Sequence, residues 1–319
     1  MYFLAISFLI TLIVLVFLLK TRLGLIALDH PNHRSLHAKA IPRTGGMAII
    51  CGVFVNWFLL GGDAYWMSLT AALVSLSILD DIQGLPIKLR FLIQFIISVI
   101  FVWLFLSSIS IWILALLVIS IVWMTNLYNF MDGSDGLAGG MTLFGFGAYA
   151  IAAYFAGDKQ LAFMAGGVAS ASFAFLLFNF YPAKIFMGDG GSIPLGFLAI
   201  TMGLYGWELK LWPLWFPVIV FSPFIVDATI TLVNRVLSKN SIFHAHRNHY
   251  YQRLIRMGLG HKYTAIAEYI LMCLSSCLAI LMLTLSLAAQ LMSLLILALV
   301  YFILMSIIDR KWNKYSITM

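Results

Sequence analysis

Eleven long apolar runs constrain this chain more than any motif in it. They fall at residues 2–19, 46–61, 66–79, 91–107, 110–127, 137–156, 161–181, 192–206, 212–234, 264–286 and 290–308. A helix needs about 20 mostly apolar residues to cross a bilayer, and fewer where protein encloses it. The runs are continuous rather than alternating, which excludes a membrane barrel. The chain is 63% hydrophobic and only 10% charged, against roughly 45–50% and about 25% in soluble domains. A chain of this size buries at most about three quarters of its surface, so no soluble core absorbs the excess. A soluble enzyme, a disordered chain and a disulfide scaffold are all excluded. The expected fold is an all-α polytopic membrane protein. Residues 1–319 form one bundle of 11 transmembrane helices, with the chemistry in cytoplasmic loops.

The first run, Tyr2–Leu19, has no basic residue before it and no small-residue cleavage site after it. It reads as a retained span rather than a signal peptide. Cys51, Cys273 and Cys277 each lie in an apolar run with no other ligand type nearby. They read as lipid- or core-facing thiols without a redox or metal role.

Sorting the charges by side gives the topology. Of the 19 Lys and Arg residues, 17 fall on the face that receives the C-terminus, and only Lys159 and Lys210 lie opposite. Basic residues accumulate on the cytoplasmic side, so the N-terminus is expected outside and the C-terminus and active site inside. The net charge of +7 is then a topology signal, not an affinity for nucleic acid. All seven histidines share the C-terminal face with Asp29, Asp80, Asp81, Asp132, Asp135, Asp189 and Asp309. Only Asp227 and Glu268 lie within runs. A secondary transporter of an anionic solute, the alternative from another class, would place its carboxylates near the midplane. Loss of Asp227 or Glu268 would stop a transporter, whereas an enzyme would lose mainly structure. A noncatalytic lipid-binding scaffold leaves the Asp clusters unexplained. The one-sided clustering points to a membrane enzyme with a cytosolic substrate.

Five loops on that face carry the chemistry. The first runs from Asp29 to Gly46, with Arg34, His37, Lys39, Pro42 and Arg43; it suits an anion, and equally a basic collar on lipid headgroups. Another holds Asp80-Asp81, then Lys88 and Arg90. Adjacent carboxylates repel unless a cation or a shared proton relieves them, and Mg²⁺ is the hard cation that carboxylates share with phosphates. The segment Asn126–Leu137 holds Asn126, Asn129, Asp132 and Asp135 with no compensating basic residue. It differs from the Asp-Gly-x-x-Ala-Arg pattern of CDP-alcohol phosphotransferases, because Ser134 and Asp135 follow Gly133. A fourth, Asn179–Ser192, sets Asp189 in a glycine-rich turn before a span and offers Phe186 as a flat face for a base. Helix N-terminal amides favour phosphate at such a place. The last, His244–Arg253, carries His246, Arg247, His249 and Arg253, a density of donors suited to diphosphate. Carboxylates for Mg²⁺, cations for phosphates, and amides with an aromatic for a base together describe phosphoryl transfer from a nucleotide.

In the same order these motifs resemble the polyprenyl-phosphate N-acetylhexosamine-1-phosphate transferases of glycosyltransferase family 4. The resemblance runs from Asp29 to Arg253. It includes Asp29-x-Pro-Asn-x-Arg34-x-x-His37, Pro42-Arg-x-Gly-Gly46, Asp80-Asp81, Asn126–Leu137 and Asn179-x-x-Pro-Ala-x-x-Phe-Met-Gly-Asp189. It implies transfer of a sugar 1-phosphate from a UDP-sugar to undecaprenyl phosphate, releasing UMP. The implied cofactor is Mg²⁺, with Mn²⁺ as an alternative. The implied partners are a UDP-N-acetylhexosamine, undecaprenyl phosphate and the lipid bilayer of a bacterial inner membrane, and a homodimer is compatible with all of them.

Carried over by position, Asp189 is the implied direct metal ligand, with Asp80 and Asp81 completing the metal set. Asp80 is the implied base or positioner of the lipid phosphate, and His249 joins these three as catalytic. Asp132 and Asp135 would hold the nucleotide, with Phe186 stacked on uracil and Lys39 nearby. Arg43, Lys88, Asn126, Asn129, Asn179, His246, Arg247 and Arg253 complete the implied substrate contacts. Two departures are visible. Ser77 stands where the family usually has Gly before the Asp pair. The enterobacterial-antigen and teichoic-acid enzymes carry His-x-His-His in the last loop, where this chain reads Arg247-Asn248-His249-Tyr250-Tyr251-Gln252. That form is similar to the branch that starts O-antigen from 6-deoxy acetamido sugars, N-acetylfucosamine or N-acetylquinovosamine, with N-acetylglucosamine as the alternative donor sugar. The peptidoglycan branch is disfavoured.

Overall fold

The computed structural model describes residues 2–25, 27–29, 40–106, 110–239 and 247–317. Lys39 and His246, with Arg34 and His37, lie outside the described residues. Helices account for nearly all of the rest: α1 (Tyr2–Lys20), α2 (Gly45–Leu59), α3 (Ala64–Gln83), α4 (Ile87–Phe105), α5 (Ile111–Phe130), α6 (Leu137–Phe155), α7 (Lys159–Asn179), α8 (Asp189–Glu208), α9 (Trp215–Val220), α10 (Ser222–Leu237), α11 (Tyr250–Leu254), α12 (Gly260–Met282) and α13 (Leu287–Ile317). Two short antiparallel strands, β1 (Leu28–Asp29) and β2 (Ile41–Pro42), pair Leu28 with Pro42 and Asp29 with Ile41.

Ten of the eleven expected apolar runs each fall on a single helix, and among the described residues eight helical stretches are long and apolar enough to cross a membrane. One of the eight is Tyr250–Met282, continuous through α11 and α12 with a kink at Gly258 (φ 99°). The run at 212–234 is instead two helices, α9 and α10, separated at Phe221 with Pro223 in the first turn of α10. Proline lacks the N–H that would continue the ladder but suits a first turn.

The centre of the bundle is built from small residues. Most of α6 and α7 is buried, whereas α13 lies almost wholly on the outside. α6 and α7 carry Gly139, Gly140, Gly145, Gly166 and Gly167 among alanines and serines, and they form the most extensive helix pair. In lipid, close backbone approach and interhelical hydrogen bonds take the place of a hydrophobic driving force. Ser172 Oγ donates to the Gly139 carbonyl (2.7 Å), Trp57 Nε1 to Met164 (3.1 Å), and Tyr149 Oη to Ala199 (2.8 Å). Cys51, Cys273 and Cys277 are all exposed on the outside of the bundle.

Helix direction gathers the polar ends. α3, α5 and α7 end, and α2, α4, α6 and α8 begin, at the same end of the bundle. Lys159 and Lys210 fall at the other end, at the start of α7 and after α8.

Candidate functional site

The expected loops are in part helix ends. α3 runs through Asp80 and Asp81 and stops because Gly84 adopts a left-handed conformation (φ 66°), its N–H returning to the Asp80 carbonyl (2.8 Å). Only glycine adopts this conformation without steric cost. The turn through Gly84–Pro86 folds α4 back, so that Leu85 N–H donates to Asp80 Oδ1 (2.8 Å). Arg90, one turn into α4, pairs with Asp80 Oδ2 and lies 3.8 Å from Asp189 Oδ2.

A second pair of segments brings Arg43 to the same carboxylate. A Cβ on Gly46 or on Gly191 would overlap the other's backbone, so the first turns of α2 and α8 touch. The amides of Gly45 and Gly46 donate to the carbonyls of Phe186 and Met187 (both 2.9 Å), and Phe186 N–H donates to Pro42 (2.7 Å). Arg43 Nη2 therefore lies 3.3 Å from Asp189 Oδ1 and 3.7 Å from Asp81 Oδ1. From the last turn of α5, Asn129 Nδ2 approaches Asp189 Oδ2 (3.5 Å), and its Oδ1 accepts from Ser192 Oγ (2.6 Å).

Asp189 is thus held between two guanidiniums, each of which also binds one member of the Asp pair. Asp132 stands beside them, close enough for its charge to act on Arg43, Asp189 and Asp81. Burial pushes its pKa well above the usual range against the attraction of Arg43, and Asp189 and Asp81 push it further. Burial works against the charge on Arg43, but Asp189, Asp81, Asp29 and Asp132 outweigh it and raise the guanidinium's pKa. Four carboxylates share two arginines, and the site remains rich in negative charge.

That excess bears on the implied metal. Among the described residues no three Asp, Glu, His or Cys side chains converge as a metal-binding group. Asp80, Asp81 and Asp189 do not form a three-carboxylate cage, because Arg90 and Arg43 lie between them. The donor chemistry nevertheless fits Mg²⁺, which takes one or two carboxylates and fills its remaining positions with water and substrate phosphates. Burial and the neighbouring Asp189 and Asp81 raise the pKa of Asp132, and a bound cation would offset that crowding of negative charge.

The other expected site residues have varied surroundings. Asn126 donates to Gln94 Oε1 (2.7 Å) and to the Val122 carbonyl (2.8 Å), tying α5 to α4. Asp135 accepts from Ala183 N–H (2.9 Å) and lies 3.9 Å from His261 Nδ1. Buried Asn179 accepts from Gly136 N–H and donates to the Ile185 carbonyl, both at 2.9 Å. These two residues hold the loop that carries Phe186, which is half-buried. Arg253 pairs with Asp309 Oδ1 (2.6 Å), donates to the Asn248 carbonyl (2.8 Å) and covers the Tyr250 ring at 4.7 Å, clamping α11 to α13. Lys88 is exposed on the first turn of α4, and Arg247 is half-buried before α11. His249 is buried against Asp227, with Nδ1 and Oδ1 3.2 Å apart. Arg90 and Ser192 belong to the site although the family resemblance assigns neither of them a role. For Arg90 the available signal was its position after a Gly–x–Pro turn that reverses the chain onto the Asp pair.

An apolar groove of about 450 Å³ opens beside the carboxylates. Arg90, Gln94, Asn126 and Asn129 form its polar lining, and Phe91 and Trp123 are among its apolar walls. Phe95 and Ile119 are shared with a second apolar groove of about 640 Å³ between α4 and α5. The arrangement can hold a phosphate at the arginines with a long apolar tail beside it.

Comparison with known proteins places this geometry. Residues 64–206 match glycosyl transferase family 4. The chain is 33% identical over 288 residues to a probable undecaprenyl-phosphate N-acetylglucosaminyl 1-phosphate transferase of Bacillus subtilis, covering 83% of this chain and 80% of the relative. An undecaprenyl-phosphate alpha-N-acetylglucosaminyl 1-phosphate transferase of Escherichia coli K12 is 28% identical over 85% of this chain and 79% of its own length. A decaprenyl-phosphate N-acetylglucosaminephosphotransferase of Mycobacterium leprae is 29% identical over 80% and 76%. An all-α membrane bundle with its carboxylates and arginines at one end, matched over most of its length by such relatives, belongs to glycosyl transferase family 4.

Proposed function

We propose that this protein transfers an N-acetylhexosamine 1-phosphate from a UDP-sugar to undecaprenyl phosphate, releasing UMP, at the cytoplasmic face of a bacterial inner membrane. The observation that carries the reading is the meeting of Asp80, Asp81, Asp132 and Asp189 with Arg43 and Arg90 at the mouth of an apolar groove. The relatives' names support a polyprenyl phosphate acceptor and a sugar 1-phosphate donor. The product begins a surface polysaccharide such as O-antigen.

An oxygen of the acceptor phosphate bonds to the β-phosphorus of the donor. The bond from that phosphorus to the bridging oxygen breaks, and UMP leaves with the electron pair. A phosphate monoester has its second pKa near ~6, so the acceptor is largely dianionic at neutral pH and needs no strong base. Both oxygens of Asp80 are engaged, by Leu85 N–H and Arg90. Asp80 therefore serves to aim Arg90 at the acceptor phosphate. Asp189, with Asp132 and Asp81 beside it, would hold Mg²⁺, whose contribution is to neutralise charge on the diphosphate. Arg43 stabilises the same charge, and Phe186 offers its ring to the base. The polyprenyl tail lies in the groove lined by Phe91, Phe95 and Trp123.

Two observations bear on the sugar. The relatives are named for N-acetylglucosamine, while the Arg247–Gln252 form resembles enzymes of 6-deoxy acetamido sugars. A donor panel in detergent with undecaprenyl phosphate and Mg²⁺ separates them. UMP release is expected with at least one of UDP-GlcNAc, UDP-FucNAc and UDP-QuiNAc, and the preferred donor names the sugar. No release with any of the three overturns the assignment.

A further inference from the structure

Asp227 on α10 is buried and lies outside the carboxylate cluster of the site. A charge in such a position is costly unless it is fully partnered. Its Oδ1 accepts from Tyr250 N–H (2.9 Å) and Thr231 Oγ1 (3.2 Å), and Oδ2 accepts from Tyr251 N–H (3.0 Å). The two amides open α11, where backbone donors lack partners within the helix and a carboxylate is favoured. The remaining contact is His249 Nδ1, 3.2 Å from Oδ1. An ionised carboxylate only accepts, so this contact is a hydrogen bond only where a neutral His249 carries its proton on Nδ1.

The histidine faces the site segment. Its ring stacks on Phe130, with centroids 6.4 Å apart, and on Tyr251 at 5.9 Å. Phe130 ends α5, two residues before Asp132, and its carbonyl accepts from Tyr251 Oη (3.3 Å). A continuous set of contacts therefore runs from Asp227 through His249 to the segment that carries Asp132.

We propose that Asp227 is a positioning residue for the transfer: it fixes His249 as the Nδ1–H tautomer and holds the start of α11 against the end of α5. This rests on the reading of the protein as a sugar-1-phosphate transferase. A purely structural cap would give the same hydrogen bonds, so the test measures dependence on His249. Initial rates are compared for the wild type, Asp227→Asn, His249→Ala and the double variant, with monodisperse elution and thermal midpoint as folding controls. Asp227→Asn is expected to lower kcat by about 10–100-fold, as loss of a residue that orients a working imidazole does. The double variant is expected to fall within about twofold of His249→Ala, because coupled residues are not additive. Penalties that multiply across the cycle overturn the proposal.

A second measurement needs no variant to fold and no activity. ¹⁵N spectra of histidine-labelled wild-type protein at a pH where the ring is neutral are expected to show His249 protonated at Nδ1, and an Nε2–H tautomer overturns the proposal. Absence of transfer by the wild type would instead overturn the transferase reading, leaving the spectrum to decide the histidine geometry.

Discussion

Asp189→Asn is expected to lower kcat on the order of 10³-fold, the scale at which preorganised charges act on a transferring phosphoryl group. The substitution conserves volume, so no cavity opens at the start of α8. Arg43 retains Asp81 and Arg90 retains Asp80, so neither guanidinium is stranded. What is lost is the single carboxylate that both arginines share and that Asn129 also approaches. Half-saturating Mg²⁺ is expected to rise along with the loss of rate. The measurement is initial UMP release against Mg²⁺ concentration, beside a thermal melt. A variant that keeps the full Mg²⁺-dependent rate would remove Asp189 from the metal and phosphate machinery.

Arg90→Ala carries the second large effect. Its guanidinium joins Asp80 to Asp189 and also lines the apolar groove, so it sits where a lipid phosphate would meet the carboxylates. Truncating one partner of a largely buried ion pair strands the other. A fall in kcat/KM on the order of 10²-fold is expected. It should be expressed mainly as a higher KM for the polyprenyl phosphate, with the donor KM little changed. Arg90→Lys is expected to recover only a small part, because an ammonium cannot span two carboxylates as a planar fork does. Equal rises in both KM values would place Arg90 on the donor side instead.

The helices were legible because lipid demands long continuous apolar runs, and ten of the eleven each fall on a single helix. Where each helix stops was less legible. α3 and α5 continue by a turn beyond their apolar runs, since Asp80 and Asn129 find partners at the helix ends. The sequence also picked out Asp135 and Asn179 by residue type, but their hydrogen bonds go to backbone groups of neighbouring loops. Backbone donors leave no trace in composition or spacing. Arg90 was visible beside the Asp pair, but its partners were not. A single arginine at the start of a span reads as a topology signal, and only the reversal at Gly84–Pro86 turns it onto Asp80. Asp227 shows the same limit. As one of two carboxylates within apolar runs it read as mainly structural in an enzyme, while its partners Tyr250 and Tyr251 lie more than twenty positions further along the chain.

The central claim is that phosphorus moves together with the sugar. Purified protein in detergent, given undecaprenyl phosphate, Mg²⁺ and the preferred UDP-sugar labelled with ³²P at the β-phosphorus, tests it directly. The label is expected in the lipid fraction as a polyprenyl diphosphate sugar, with unlabelled UMP released in equal amount. Label retained in soluble UDP while sugar enters the lipid would contradict the account, since the bond broken would then lie between sugar and phosphate.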